Sequence, residues 1–325
     1  MTEILLANDV GILRAAKLLK AGELVSFPTE TVYGLGALAL NKQAVSEVFR
    51  AKGRPNDNPL ILHVSNIAMV ERFTKQVPEV FYRLAAAFWP GSLTMILRAK
   101  DLPKEVTAGL ETAAFRTPDN EVTLRLIEAL GEPIVGPSAN TSGKPSPTEA
   151  AHVYHDLKDK IAAILDGGRS VVGVESTVLD LTNTPPLILR PGQVSLKELQ
   201  VFLPDLAYDK HLIAENETPK APGMKYRHYA PDVPVYMVEK SDFSTISDQK
   251  EIAIVADSAL LQRFKKAQVF ELTQNDDVKL ATRNLYRALR SFDRPELKAI
   301  YVQTFSGVGS AAYMNRLKKA SVRLS

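Results

Sequence analysis

Leu24-Val25-Ser26-Phe27-Pro28-Thr29-Glu30-Thr31-Val32-Tyr33-Gly34-Leu35-Gly36 decides how the first half of this chain is read. Leu24 to Phe27 is short and mostly apolar, as a buried strand is, and Pro28 ends it by removing a ladder donor. Two hydroxyls and a carboxylate follow at once, and the glycines let backbone come close to a ligand. Polar residues placed directly after a buried strand are where open α/β sheets hold their ligands. The plainer reading is a segment that caps the following element.

Working outward, the pattern alternates. Asn8 or Asp9 is expected to cap a helix with the apolar stripe Val10, Leu13, Ala16 and Leu18, stopped at Gly22. Asn41 can cap a second helix carrying Ala44, Val45, Val48 and Phe49, which must end before Pro55. Strand-like stretches follow at 60–64, 93–97, 134–136, 161–165, 177–181 and 187–189, and helical ones at 80–89, 121–130 and from Pro147-Thr148 to about His155. This is an α/β domain with a mixed sheet over residues 1–206. Residues 207–234 lose the periodicity and hold Pro219, Pro222, Gly223, Pro231 and Pro234, the composition of a semi-rigid linker. Beyond it, strand patterns at 235–238, 252–255, 269–272 and 299–302 alternate with helical ones at 260–266, 278–290 and 311–319. Residues 235–325 therefore read as a small Rossmann-like α/β domain.

The bulk composition excludes several classes. At 325 residues, with 45% hydrophobic and 24% charged residues, the chain is globular and long enough for two cores. It has no cysteine, which removes disulfides, thiol catalysis and Cys-based zinc sites. The start lacks the basic-then-apolar pattern of a signal peptide, and the most apolar stretch, 84–97, is broken by Pro90, Gly91, Ser92 and Thr94. No membrane association and a cytoplasmic location are expected. Net charge is +3 from 40 basic and 37 acidic residues, so any anion site must be local.

Neither a phosphate-binding G-x-x-x-x-G-K loop nor a G-x-S-x-G elbow is present. Gly307-Val308-Gly309 can open a helix toward an anion, although a tight turn explains it as well. Lys52-Gly53-Arg54-Pro55, with Asn58-Pro59-Leu60 behind it, can converge two cations on one anion or complement a helix C-terminus. Pro137-Ser138-Ala139-Asn140-Thr141-Ser142-Gly143, continuing to Ser146, offers hydroxyls and an amide to a ribose, phosphate or amino acid, or forms a Ser-rich turn. Ser176-Thr177-Val178 and Leu189-Arg190-Pro191-Gly192 add another hydroxyl and arginine. His152 and His155 have no third ligand at metal spacing and read as solvated surface residues, whereas His63 sits inside a strand pattern.

Taken in order, T-E-T-V-Y-G-L-G (29–36), K-G-R-P (52–55), N-P-L (58–60), W-P-G-S-L-T (89–94), F-R-T-P (115–118), P-S-A-N-x-S-G (137–143), S-P-T (146–148), S-T-V (176–178) and L-R-P-G (189–192) resemble the YrdC-like superfamily of L-threonylcarbamoyladenylate synthases. A-P-G-M-K-Y-R-H-Y-A-P (221–231) is similar to the linker of the longer, two-domain form. The resemblance implies a YrdC-like twisted mixed sheet and a nucleotidyltransferase that makes threonylcarbamoyl-AMP and pyrophosphate from ATP, L-threonine and bicarbonate. A partner transferase complex would pass the threonylcarbamoyl group to tRNA adenosine next to the anticodon. On this resemblance Lys52 and Arg54 act at the triphosphate, with Mg²⁺ carried by ATP phosphates and no metal held by protein side chains. Asn58, Ser138, Asn140, Ser146, Arg190 and Tyr229 join them around ATP, and Thr31, His63, Arg116, Ser138 and Ser176 line the threonine side. Tyr229, with His228, would bring the linker over the active site.

The residues suit this reaction: threonine's amine captures CO₂, the carbamate oxygen attacks the α-phosphate, and no enzyme nucleophile is needed. Positioning, charge neutralisation and exclusion of water are. Rival readings are a double-stranded-RNA-binding module that uses a local groove of Lys52, Arg54 and Arg116, a nucleotide-binding regulator without turnover, and a hydrogenase-maturation carbamoyltransferase. Zero cysteines argue against the last.

Overall fold

Short apolar runs separated by capped helices assemble into two compact units in a computed structural model that describes residues 1–209 and 229–322. Among these, the first unit takes 1–142, 147–171 and 175–209, and the second takes 143–146, 172–174 and 229–322. The first contains strands β1 (Glu3–Leu6), β2 (Val25–Phe27), β3 (Gly34–Leu38), β4 (Ile61–His63), β5 (Leu93–Arg98), β6 (Thr112–Arg116), β7 (Ile134–Val135), β8 (Ala163–Asp166), β9 (Thr177–Asp180), β10 (Leu187–Arg190) and β11 (Ala207–Tyr208). Their order in one eleven-stranded sheet is β1-β8-β2-β3-β7-β4-β6-β5-β9-β10-β11. Parallel and antiparallel pairs both occur along it: β4 runs parallel to β6 with His63 opposite Arg116, while β5 runs antiparallel to β6 and parallel to β9. The expected mixed sheet is therefore present.

Helices α1 (Asp9–Lys20), α2 (Lys42–Lys52), α3 (Ile67–Arg72), α4 (Glu79–Phe88), α5 (Lys104–Thr107), α6 (Glu121–Leu130), α7 (Ala150–Leu157) and α8 (Leu196–Gln200) accompany this sheet. Strand alternation sends Val25, Phe27, Ile134, Ala163 and Leu165 into one core with α1 and α6, and Leu35, Leu62, Val135 and Ile164 into another with α2, α4 and α7. The predicted α1 stripe needs correction. Its cap is Asn8, whose side chain accepts from Gly11 N–H, and the buried face is Ile12, Ala15, Ala16 and Leu19, while Val10 and Leu13 are exposed. The face turned to α6 and the sheet, rather than the more apolar-looking one, sets the phase.

β3 lies in the stretch read as a polar cluster following the first buried strand, where no second strand was expected. Gly34 and Gly36 conceal it from propensity reasoning, because a Cβ on Gly34 would stand 2.5 Å from Phe27 Cζ and one on Gly36 2.8 Å from Val25 O. The missing side chains make room for the Phe27 ring, so the strand is paired but featureless in sequence.

The second unit has strands β12 (Val235–Val238), β13 (Ile252–Asp257), β14 (Gln268–Thr273) and β15 (Ala299–Gln303), all parallel in the order β12-β15-β13-β14. Helices α9 (Ser258–Leu261), α10 (Val278–Ser291) and α11 (Ala311–Ala320) complete a small α/β unit. Gly307 and Gly309 have φ of 90° and 86°, and Ser310 N–H points back to Gly307 O, so their stretch is a turn. Within the predicted linker, Ala207–Tyr208 forms β11 beside β10, and Ala230 N–H donates to Gly143 O. Residues 210–228, with Pro219, Pro222, Gly223 and His228, lie outside the described residues. No helix among the described residues is long and apolar enough to cross a membrane.

Candidate functional site

In the first unit the strand ends carry a dense set of buried polar side chains. Thr29, directly after β2 and Pro28, organises its own turn: its Oγ1 accepts from the N–H groups of Thr31 and Val32 and lies 2.8 Å from Thr31 Oγ1. Thr123 on α6 donates to Pro28 O, and Ser170 donates to Thr29 O, pinning the segment from both sides. Thr31 is thereby presented, fully buried, to Arg116 at the end of β6, whose Nη1 donates to it at 2.9 Å.

Arg116 is 4% exposed. Its Nε donates to Gly91 O at 3.1 Å, and its Nη2 lies 2.5 Å from Glu30 Oε1 as an ion pair. That Nη2 is nevertheless buried without an aligned hydrogen bond, so the guanidinium retains donors aimed elsewhere than at Glu30. Glu30 is anchored separately, 2.9 Å from Ser92 Oγ and accepting from Asp119 N–H.

His63 lies opposite Arg116 across the β4–β6 pair, edge-on to Phe27 with ring centroids 5.2 Å apart. Burial, and then the Arg116 charge, lower its pKa to about 3, so the imidazole is neutral at ordinary pH. Its Nδ1 is buried with no hydrogen-bond partner. Gly136 is the residue that lets the ring sit here, since a Cβ on it would come within 2.6 Å of Nδ1.

Lys52 ends α2, a helix capped by Asn41, whose side chain accepts from Ala44 N–H, and closed by Gly53 at φ 63°. Its ammonium is drawn into the following loop, donating to Ser138 O and to Asn140 O at 2.6 Å. Ser142 N–H returns a bond to Lys52 O. Arg54 Nη2 reaches Asn58 O and Pro59 O at 3.3 and 3.4 Å, and Asn58 is buried with its Oδ1 unbonded. Lys52, Ser138 and Asn140 therefore form one cluster, and Arg54 and Asn58 a second.

A third cluster joins β5, β9 and β10. Ser176 Oγ lies 2.7 Å from Thr94 Oγ1, and Arg190 donates through Nε to Ser176 O and through Nη2 to Ser176 Oγ. Gly192 allows this, because a Cβ on it would meet Thr177 N at 2.2 Å.

Two expected site residues fall in the other unit. Ser146 is fully buried in the 143–146 segment. Tyr229, at φ 66°, rests against Tyr286 with centroids 5.4 Å apart and under the Arg316 guanidinium. His152 is less solvated than expected, lying 3.0 Å from Glu149, while His155 is exposed. Glu30, Ser92 and Thr94 received no role from sequence reasoning. The carboxylate between two threonines after a buried strand was the available signal for Glu30.

Comparison with known proteins gives a consistent result. Residues 17–192 match the Sua5/YciO/YrdC family model, described as telomere recombination, and residues 194–322 match the model described as the threonylcarbamoyl-AMP synthase C-terminal domain. The threonylcarbamoyl-AMP synthase of Bacillus subtilis is 44% identical over 99% of this chain and 96% of its own length. That of Pyrococcus abyssi is 43% identical over 94% and 93%. The crystal structure of P. abyssi Sua5 complexed with L-threonine superposes at a TM-score of 0.89, with 41% identity and coverage of 99% and 97%.

Proposed function

Because the chain belongs to the threonylcarbamoyl-AMP synthase family, we propose that its buried strand-end clusters carry out that synthesis from ATP, L-threonine and bicarbonate. The observation that carries the reading is Arg116, a buried guanidinium with unspent donors beside the hydroxyl of Thr31 and the neutral ring of His63. An α-amino acid carboxylate is the planar, two-oxygen acceptor that such a fork accepts.

Thr31, His63, Ser138 and Ser176 would surround the same substrate, and Arg190, hydrogen-bonded to Ser176, would tie it to the nucleotide. Lys52 and Arg54 would neutralise the triphosphate, Lys52 from a position set by the loop carbonyls it grips, and Asn58, Ser138 and Asn140 would contact the nucleotide. Mg²⁺ would travel with the ATP phosphates, whose oxygens are the hard ligands it prefers. In the reaction the free amine and bicarbonate would give a carbamate with loss of water, a carbamate oxygen would attack the α-phosphorus, and pyrophosphate would leave; Mg²⁺, when bound, would supply charge neutralisation at the phosphates. Electrostatic preorganisation and exclusion of water carry such a step without a covalent enzyme intermediate. Ser146 and Tyr229 keep the ATP-binding role that the family resemblance implies for them. The product would pass to a threonylcarbamoyl-transferase complex acting on tRNA, and the cytoplasm is the compartment we assign to it. Weak RNA binding by the cationic groups would be secondary.

The test is pyrophosphate release with ATP, Mg²⁺ and bicarbonate, with and without threonine, with the product identified by mass and Lys52→Ala run alongside. Release that needs both threonine and bicarbonate, and is lost in the variant, is expected. Threonine-independent release, or ATP binding without turnover, would replace this reading with a nucleotide-binding regulator.

A further inference from the structure

Glu30 is the one buried carboxylate in the clusters described above for which the reaction as written has no use. It is 6% exposed, and its side chain has three neighbours: Ser92 Oγ and Arg116 Nη2 at Oε1, and Asp119 N–H at Oε2, 3.2 Å away. A carboxylate offers about four acceptor sites, so Oε2 keeps one that no protein donor fills. If neutralising Arg116 were its whole purpose, the pair would be expected to form aligned, two-pronged hydrogen bonds. Instead Nη2 sits 2.5 Å from Oε1 while its hydrogens find no aligned acceptor, and Glu30 is held by Ser92 and Asp119 independently of the arginine. The result is a buried cation and a buried anion side by side, each anchored by its own neighbours and each with unused hydrogen-bonding capacity.

A zwitterionic amino acid presents the complementary pattern, with its carboxylate and ammonium separated by a single carbon. We propose that Glu30 receives the substrate ammonium through Oε2 while Arg116 receives the carboxylate, making the pair a joint receptor for an α-amino acid. This rests on the synthase reading and names the contact that reading leaves unassigned. It also supplies a reason for burying an ion pair whose desolvation cost would otherwise return little: both charges gain a partner when substrate enters. Selectivity follows, because an acid lacking the ammonium would leave Glu30's free acceptor site unfilled.

The experiment compares threonine with 3-hydroxybutanoate, which keeps the carboxylate and β-hydroxyl and has hydrogen in place of the ammonium, so that it offers Glu30 no donor, in the full chain and in Glu30→Gln. For the unaltered chain, the analogue's inhibition constant should exceed the KM of threonine at least about 10-fold, the scale of a hydrogen bond to a charged group. In Glu30→Gln the KM for threonine should rise roughly 10- to 100-fold, while the analogue's inhibition constant changes less than about 3-fold. Parallel weakening of both ligands would overturn the proposal and leave Glu30 as a positioning residue for Arg116. An analogue that binds the unaltered chain as well as threonine does would overturn it even if the variant failed to fold. Threonine-dependent pyrophosphate release by the unaltered chain is measured first, so loss of the synthase reading and loss of this assignment cannot be confused.

Discussion

The two units bury polar groups for different ends. In the second, Asp257 at the end of β13 caps α9 through Ala259 N–H and accepts from Asp276 N–H, while Gln303 at the end of β15 accepts from Asp257 N–H and donates to Asp276. Asn284 donates to Leu272 O. These groups satisfy one another, as a structural network should. In the first unit, by contrast, Asn58 Oδ1 and His63 Nδ1 are buried near strand ends without hydrogen-bond partners, and Arg116 Nη2 meets Glu30 only as an ion pair without an aligned hydrogen bond. Buried donors and acceptors without partners cost about 1–3 kcal/mol each. Their concentration among the clustered residues marks a surface shaped for a ligand that supplies the missing partners. Polarity at a strand end is thus common to both units, and what separates a site from a staple is whether the network closes.

The largest effect expected from breaking this contrast is at Arg116. Arg116→Met should lower kcat/KM for threonine at least about 100-fold and, by stranding Glu30, cost roughly 3–5 kcal/mol in denaturant unfolding. Adding Glu30→Met should restore most of the stability and none of the activity. If both returned together, the pair would be a structural staple like those of the second unit.

His63 should make the first unit acid-sensitive. Its folded pKa of about 3 lies below the unfolded value near 6.5, so the unfolded chain binds the extra proton between them. The imidazole's contribution is whole above pH 6.5 and declines as pH falls toward 3, at up to about 1.4 kcal/mol per pH unit. Unfolding titrations of the parent and of His63→Gln should differ by that slope over this window. Equal slopes would show that the ring is not held neutral.

Gln303→Ala should cost about 1–3 kcal/mol in the second unit's transition by opening its closed network, with threonine-dependent turnover intact at a temperature where both units are folded. A selective loss of turnover would make that network functional as well. The smallest effect is at Asn41→Ala, which removes the cap of the helix that delivers Lys52 and should cost about 1 kcal/mol, seen as a shift in melting temperature.

How much was legible in the sequence varied with the kind of signal. The α6 helix at Glu121–Leu130 was readable to its ends, because Asn120 caps it and Gly131 closes it locally. β3 was not, because its glycines carry no propensity and exist to fit the Phe27 ring. The α1 stripe was misassigned because Val10 and Leu13 are apolar and exposed, and hydrophobicity alone does not say which face meets the sheet.

The chain's order of polar motifs, its caps and its strand–helix alternation are local properties, and they determined the α/β class and named residues in every cluster of the site. Only the tertiary structure decided which of these residues meet. His63 and Arg116 are 53 positions apart and become neighbours through the β4–β6 register, and Glu30 finds Arg116 and Ser92 because β2, β5 and β6 end together at this site. Spacing along the chain cannot encode such convergence, since sheet order and register are set by the packing of the whole core.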